Sequence, residues 1–130
     1  MKLFSSLLLI CTVLFPAAPV AAAELVMFEQ AGCPWCAAFE RDVAPAYAKS
    51  EEGLRAPLRR IDIGRPLPSD LSFIRVERLT PLFVLVEKSR EIGRIRGYPG
   101  AEGFWMQLSV LFGKLDKDGV AAVRAHLIEK

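Results

Sequence analysis

The sequence predicts an α/β domain in which a central mixed sheet carries helices on both faces. An apolar, strand-sized run at residues 25–28 leads into helix-forming residues, and an alternating run at 58–63 then supplies a second strand. These elements can form a parallel βαβ unit. The continuous apolar run at 82–86 is typical of a central buried strand, and the alternating residues 91–96 predict its antiparallel hairpin partner.

The first helix should run from residue 33 to about residue 49 and should kink or end at Pro45, because proline lacks the N–H that a helix interior needs. Its inward face should carry three residues at four-residue spacing, Phe39, Val43 and Tyr47. The polar residues 50–53 should end this unit. Residues 71–79 fit either a loop or a short helix.

An apolar stripe predicts another helix after the break at residues 97–100. The stripe consists of Phe104, Leu108, Leu111 and Phe112. Gly113 should close this helix, because glycine is the commonest residue just past a helix end. A separate amphipathic segment should follow, with its apolar residues at Val120, Val123 and Leu127.

The N-terminus predicts export from the cytoplasm. Lys2 precedes an apolar run at residues 3–15, and the small residues 21–23 form a cleavage site of the A-x-A kind. We therefore expect residues 1–23 to be a signal peptide and residues 24–130 to be the mature domain, located in the periplasm. An uncleaved membrane anchor is less favoured, because the apolar run is shorter than the roughly 20 residues that a span needs.

Charge and cysteine content narrow the function further. The chain has 17 basic and 15 acidic side chains, which gives a net charge of +2 and no bulk electrostatic case for binding nucleic acid or an anionic membrane. One of its three cysteines, Cys11, lies in the predicted signal peptide. The mature domain would keep only Cys33 and Cys36. A single close pair of cysteines in an exported protein favours a redox site over a set of structural disulfides.

The motif Cys33-Pro34-Trp35-Cys36 lies where the first strand should turn into the first helix. Two cysteines three positions apart on one helical turn can close a small disulfide ring, so the motif predicts disulfide exchange. Pro34 suits the first turn of a helix, where its missing N–H has no partner. The free N–H groups and dipole of that helix end should stabilise a thiolate on Cys33.

Two other roles for the cysteine pair are less favoured. A structural disulfide would not need to lie at the start of a helix. A zinc site needs four ligands, whereas the mature chain offers only Cys33, Cys36 and the distant His126. We therefore expect no metal.

Two further motifs accompany the dithiol. Thr80-Pro81 directly precedes the apolar strand, and Gly97-Tyr98 follows the hairpin. With Cys33-Pro34-Trp35-Cys36, in this order and at this spacing, they resemble the thioredoxin superfamily over essentially the whole mature domain. Residues 24–48 and the run Thr-Pro-x-Phe-Val-Leu-Val resemble, more narrowly, the exported bacterial thioredoxins associated with sulfur-oxidation gene clusters.

The resemblance implies a thioredoxin-like fold and a substrate groove beside the dithiol. In that groove Pro81 would follow a cis peptide bond, and the backbone of Thr80 would pair with an extended substrate strand. Trp35 and Tyr98, the latter preceded by Gly97, would form apolar walls. The family's redox-active disulfide needs no added cofactor.

The sequence departs from the best-known members at one functional position. Those proteins carry a buried acid six residues before the first cysteine, where it assists proton transfer at the second cysteine. This chain has Met27 there. Glu29 is the nearest acid on the same alternating face of the strand, and it is our candidate for that proton transfer.

The resemblance implies a periplasmic thiol:disulfide oxidoreductase that mainly reduces protein disulfides and receives electrons from a membrane protein. We expect a monomer. One alternative is a disulfide-forming oxidant, which usually carries an inserted helical domain for which this chain has no room. The other is a non-enzymatic binding module of the same fold, and the intact cysteine pair argues against it.

Overall fold

A computed structural model of the chain describes residues 23–128, which contain four strands and four α-helices. In chain order the elements are β1 (Ala23–Glu29), α1 (Pro34–Asp42), α2 (Ala44–Tyr47), α3 (Glu51–Arg55), β2 (Leu58–Asp62), β3 (Leu82–Glu87), β4 (Arg90–Arg96) and α4 (Ala101–Ile128). A single 3₁₀ turn, Ser69–Leu71, lies between β2 and β3. The predicted signal peptide lies outside the described residues except for Ala23, the first residue of β1.

The four strands form one mixed sheet in the order β2-β1-β3-β4. β1 and β2 run parallel, with Leu25 opposite Leu58, so the predicted βαβ unit is confirmed. β3 lies antiparallel to β1, with Met27 opposite Phe83, and β4 completes the predicted hairpin. β3 is buried at its first five residues and has a strand on each side, as the continuous apolar run predicted.

The two faces of the sheet are covered differently. Residues of α1, α2 and α4 pack on one face, against Leu25, Met27 and Phe83. The other face is covered by the 3₁₀ turn and the segment around it, where Leu71 and Ile74 are buried. The predicted α/β class is confirmed, but the second layer contains only this short helical turn. Prolines at positions 66 and 68 limit helix formation there.

An aromatic cluster joins the sheet to the first helical layer. The ring of Phe39 on α1 lies 4.6 Å from that of Phe83 and 5.1 Å from that of Phe104, measured between ring centroids. All three side chains are completely buried. Val43 and Tyr47 are buried beside them, which confirms the predicted inward face of the first helical segment. Because this cluster fixes α1 against the sheet, it also positions the start of α1.

The structure corrects three sequence-based boundaries. The first helix breaks at Val43, two residues before Pro45. The polar segment 50–53 starts α3 instead of ending a unit, because the Ser50 hydroxyl accepts a hydrogen bond from the Gly53 N–H at 3.0 Å. α4 continues through Gly113, whose Cα faces open space, so the predicted closure there is wrong.

The last part of α4 is exposed to solvent, unlike the first part of the helix. Buried residues on this helix end at Leu115. Val120, Val123 and Leu127 continue the same helix but are exposed to 63%, 62% and 70%. None of the helices between residues 23 and 128 has both the length and the apolar character needed to cross a bilayer.

Candidate active site

The dithiol lies at the junction of β1 and α1. Cys33 is the N-cap residue of α1, with an extended backbone, and Pro34 occupies the first turn as the motif predicted. Cys33 and Cys36 are disulfide-bonded, with their Cα atoms 5.3 Å apart. The Cys36 N–H donates a hydrogen bond to Cys33 Sγ at 3.1 Å. The same N–H can stabilise a thiolate on Cys33 once the disulfide is reduced.

The turn before the dithiol depends on one glycine. Gly32 has a φ of +76°, in the region that side chains other than glycine rarely adopt. The Cys33 N–H donates to the carbonyl oxygen of Gln30 at 3.3 Å and closes the turn. Cys33 and Cys36 are both mostly buried, with 9% and 5% of their surfaces exposed. Trp35 between them is exposed to 61%, so the motif presents an aromatic ring next to two shielded sulfurs.

The Thr80–Pro81 peptide bond is cis, and it lies at the dithiol end of the sheet. Leu82, the next residue, is opposite Phe28 near the end of β1. The Gly97 N–H donates to the Pro81 carbonyl oxygen at 2.8 Å, which joins the end of β4 to the same loop. Gly97 adopts a φ of +75° at this turn. Thr80 is partly exposed and Pro81 is buried.

Tyr98 connects this loop to the helix that carries the dithiol. Its ring packs edge-on against Phe39 of α1, with centroids 6.0 Å apart. Its hydroxyl lies 3.3 Å from Oδ2 of Asp42 at the end of α1, and donates to it. Burial and the nearby Asp42 carboxylate raise the pKa of Tyr98. Gly97 and Tyr98 therefore connect the cis-proline loop to α1, the helix that begins at the dithiol.

Glu29 shares a surface concavity with the dithiol. Glu29, Cys33, Cys36, Glu40 and Asp62 are among its lining residues. Met27, two residues earlier on the same strand face, is fully buried in the core. The structure thus places Glu29 on the dithiol side of the sheet, as the alternation of β1 predicted.

The surroundings of Glu29 favour its protonated form. Burial is the largest cause and raises the pKa of this carboxyl, and the neighbouring carboxylates of Glu40 and Asp62 raise it further. Arg60 acts in the opposite direction, but its guanidinium is also held by Glu40 at 2.5 and 2.8 Å. A carboxyl with a raised pKa is a better proton acceptor near neutral pH than an ordinary glutamate.

An ion-pair network that the sequence analysis missed holds the loop before Thr80. Glu77 accepts hydrogen bonds from Arg94 at 2.6 Å and from Arg96 at 2.8–3.1 Å. Arg94 also donates to the carbonyl oxygen of Arg75 at 3.1 Å and pairs with Glu91. Arg94 is mostly buried, with 13% of its side chain exposed. The network therefore fixes the chain that enters the cis peptide bond to the second half of β4.

Replacing Glu77 by glutamine should lower the free energy of unfolding at pH 7. The hydrogen bonds from Arg96 and then Arg94 hold the pKa of this carboxyl below its ordinary value of 4.5. The stabilisation is therefore fully present above about pH 4.5 and is lost as the pH falls through the lowered pKa. Urea unfolding of wild type and variant at pH 7 and pH 3 measures the difference.

Glu87→Gln is the matched control for this experiment. Glu87 is partly buried near the same hairpin and has no ion pair among residues 23–128. It should change stability little at either pH. A Glu77→Gln defect that persists undiminished at pH 3 would show that the ion pairs are not its cause.

Comparison with solved structures identifies the family. The chain is 42% identical to the periplasmic thioredoxin SoxS from Paracoccus pantotrophus, and its fold matches the reduced form of that protein with a TM-score of 0.68. The match covers 72% of this chain and 98% of that protein. This chain belongs to the thioredoxin superfamily. Its predicted membership is confirmed, and the similarity to SoxS supports the narrower resemblance to exported thioredoxins of sulfur-oxidation clusters.

A more distant thioredoxin shows the same fold. Thioredoxin from Malassezia sympodialis (Mala s 13) is 14% identical, with a TM-score of 0.51 over 68% of this chain and 76% of that protein. A comparison with protein-family models gives no match, and neither does a comparison with curated protein sequences.

Family membership and the disulfide together define the activity. The protein is a thiol:disulfide oxidoreductase whose redox-active pair is Cys33 and Cys36. Thioredoxins carry out this exchange with their own cysteines. Within residues 23–128, no group of three or more His, Cys, Asp or Glu side chains is placed to hold a metal ion.

Proposed function

We propose that this thioredoxin is exported to the periplasm and works mainly as a reductase of protein disulfides. The observation that carries this proposal is the Cys33–Cys36 pair at the start of α1, with the exposed Trp35 between the two cysteines. The periplasmic location of SoxS and the signal-peptide pattern of residues 1–23 support export. The substrates are proteins with an accessible disulfide bond.

The reaction is a two-step exchange of disulfide bonds. In the reduced protein, the Cys33 thiolate attacks one sulfur of a substrate disulfide, and the second substrate sulfur leaves as a thiolate. Cys36 then loses its proton and attacks Cys33 Sγ, which releases the first substrate sulfur. The substrate gains two electrons, and the protein is left with the Cys33–Cys36 disulfide.

The surface around the dithiol suits an extended polypeptide. The part-exposed Thr80 would offer its backbone to the substrate strand, which gives affinity that depends little on sequence. Pro81 and Gly97, linked by their 2.8 Å backbone hydrogen bond, would shape the floor of the groove. Trp35 and Tyr98 would provide its apolar walls. The exposed Trp35 ring would lose most of its water contact on binding, which favours association.

Glu29 is the proposed acceptor of the Cys36 proton, directly or through a water molecule. It lines the same concavity as Cys36, and its raised pKa suits proton transfer near neutral pH. It would take the role of the buried acid that this chain lacks at Met27.

Replacing Glu29 by glutamine should slow the release of reduced substrate. General acid–base groups contribute about 10²–10⁴-fold, and water can reach this part-exposed site, so we expect a loss of about ten-fold. Wild-type activity should rise with pH as Glu29 ionises, and this rise should occur above pH 4.5, the ordinary pKa of a glutamate. The Glu29→Gln variant should lack this rise in activity. Single-turnover reduction by the pre-reduced protein between pH 4.5 and 8 measures both effects.

Glu24→Gln is the control, because Glu24 is partly exposed on the same strand but lies at the end away from the dithiol. It should keep the wild-type profile. Since the folded state disfavours the ionised form of Glu29, Glu29→Gln should not lower the melting temperature at pH 7. An unchanged pH profile in Glu29→Gln would exclude Glu29 as the proton acceptor.

The reduction potential tests the direction of the reaction. Family values run from about −270 mV for thioredoxin to about −120 mV for strong oxidants. We expect this protein to lie nearer the thioredoxin end and to require a membrane protein that delivers electrons from the cytoplasm. Equilibration with glutathione gives the value. A potential near −120 mV, with a mostly oxidised pool in growing cells, would favour the disulfide-forming oxidant.

Trapping in the source cell would identify the substrate. In Cys36→Ala, the mixed disulfide on Cys33 cannot be resolved, so the bound protein remains attached. Mass spectrometry of the purified adduct names the partner and also reads the N-terminus. A mature chain starting at Glu24 would support export with cleavage. If the variant captures no protein while wild type also fails to reduce insulin, the binding-module alternative gains support.

A further inference from the structure

The distal part of α4 extends beyond the domain core. A helix of 28 residues is about 42 Å long, whereas its buried residues end at Leu115. Residues 116–128 include Gly119, which faces open space and weakens a helix. An isolated helix of this size is marginal in water, since helices shorter than about 12–15 residues rarely form alone. In α4 this part continues an existing helix, and Asp116 and Asp118 pair with Arg55 and Arg90 of the domain. The apolar side chains beyond Asp118 remain exposed and are free to make further contacts.

This part of α4 forms one wall of an open apolar groove of about 830 Å³, which we call the α4 groove. Its apolar lining consists of Leu54, Leu115, Val120, Val123 and Leu127, together with Ala23, which the proposed cleavage before Glu24 would remove. Leu54 on α3 is exposed to 72%, much like the helix residues opposite. Several large apolar side chains exposed side by side mark an interaction surface.

The charges around the α4 groove are balanced. Arg55 and Arg124 lie at its border with Asp116 and Glu87. A surface for anionic lipid would carry more basic than acidic residues, whereas the border of this groove carries equal numbers of each. Two basic and two acidic groups beside an apolar strip suit a partner with the same mixed pattern.

We infer that the α4 groove binds a second copy of this chain, with the two α4 helices antiparallel. Asp116 and Arg124 lie four residues before and four residues after Val120. Asp116 already accepts a hydrogen bond from Arg55 of its own chain, and its second carboxylate oxygen is left for a partner. A two-fold axis at Val120 places this carboxylate opposite Arg124 of the other copy, and Val120 packs against its own counterpart. Such a self-complementary surface forms a closed dimer. This inference departs from the monomer expected from the sequence.

The dimer would leave both active sites free. Ala23 and Glu87 line the α4 groove, and they pair at the end of the sheet opposite to Glu29 and Leu82. Seven residues of β1 at about 3.3 Å each separate the two ends by about 20 Å. Dimerisation and disulfide exchange can therefore be tested independently.

The test is the molar mass of the protein recovered from the periplasm, with its N-terminus read by mass spectrometry. Light scattering and sedimentation equilibrium over 1–200 µM should give twice the mass of one chain at the upper end. Val123→Glu should return the mass to that of one chain, with insulin reduction unchanged. The matched control is Met106→Glu. Met106 is also on α4 and is 63% exposed, close to the 62% of Val123, but it lies about 25 Å from Val123 towards the N-terminus of the helix. It should remain dimeric.

Three results would overturn the inference. The first is a wild-type protein that is monomeric at 200 µM. If that monomer retains residues 1–22, which join the groove at Ala23, its own N-terminal segment becomes the better occupant. If it binds phosphatidylglycerol vesicles, the groove is a lipid surface. The second is a dimer that survives Val123→Glu, and the third is a dimer that Met106→Glu disrupts equally.

Discussion

Replacing Cys33 by serine should reduce the rate of protein disulfide reduction to that of the uncatalysed reaction. The attacking group must be a thiolate, and a serine hydroxyl is not ionised at neutral pH and does not attack sulfur. The fold should remain, because Cys33 is the N-cap of α1 and serine is a preferred residue at that position. Insulin reduction and the far-ultraviolet circular dichroism spectrum measure the two properties together.

Cys36→Ser should fail in a different way. Cys33 can still attack, so one substrate molecule binds covalently, but no second thiolate is present to release it. The variant should therefore form a stable mixed disulfide in the first turnover and then stop. Iodoacetamide labelling of the reduced wild-type protein also distinguishes the roles of the two cysteines. Cys33 should react first, because the helix end and the Cys36 N–H stabilise its thiolate.

Equal labelling of the two cysteines at neutral pH would contradict these roles. So would multiple turnovers by Cys33→Ser, or a covalent adduct carried by Cys36 in that variant. A loss of helical signal in Cys33→Ser would be a structural defect. In that case the labelling experiment, which uses the unaltered protein, still decides which sulfur is the nucleophile.

The sequence predicted those parts of the active site that depend on neighbours in the chain. The spacing of Cys33 and Cys36 placed both on the first turn of a helix, and Pro34 marked where that helix begins. The apolar run after Pro81 predicted the central strand β3, and the alternation of β1 placed Glu29 on the dithiol side. Each of these inferences uses a period or a spacing of a few residues.

Interactions between distant segments were not predictable in this way. Glu77 meets Arg94 and Arg96 only because the loop before Thr80 folds back over β4, across 17 and 19 positions of sequence. Arginine and glutamate at such separations are usually solvated, so the sequence alone gave no reason to pair them. The network became visible only when β4 and the loop were placed together.

Gly113 shows how tertiary contacts override a local rule. Glycine commonly ends helices, and this predicted the end of α4. Phe112 and Leu115, on either side, are both buried against the core and keep the backbone helical through the glycine. The cost of glycine inside a helix, about 1 kcal/mol, is smaller than the gain from burying one such side chain, about 1.5–3 kcal/mol.

Replacing Phe104 by alanine should have the largest effect on stability of any single substitution considered for this domain. Phe104 is completely buried, and its ring lies 5.1 Å from that of Phe39 and 5.0 Å from that of Phe83. Burying less apolar surface and leaving a cavity should together lower the free energy of unfolding by about 3–5 kcal/mol. That is a large part of the roughly 5–15 kcal/mol available to a domain of this kind. Urea unfolding of the oxidised protein measures it.

Phe73→Ala is the matched control, because Phe73 is 38% exposed and lies outside the buried clusters. It should cost less than about 1 kcal/mol, since a partly exposed ring loses less burial and leaves no closed cavity. Phe104→Ala should keep its disulfide-exchange activity at temperatures where it is folded, because Phe104 lies on α4 and does not line the concavity around the dithiol. Equal losses of stability in the two variants would show that the Phe39–Phe83–Phe104 cluster does not fix α1 to the sheet. The position of Cys33 would then have to depend on other contacts, with Tyr98 and Asp42 at the far end of α1 as the next pair to test.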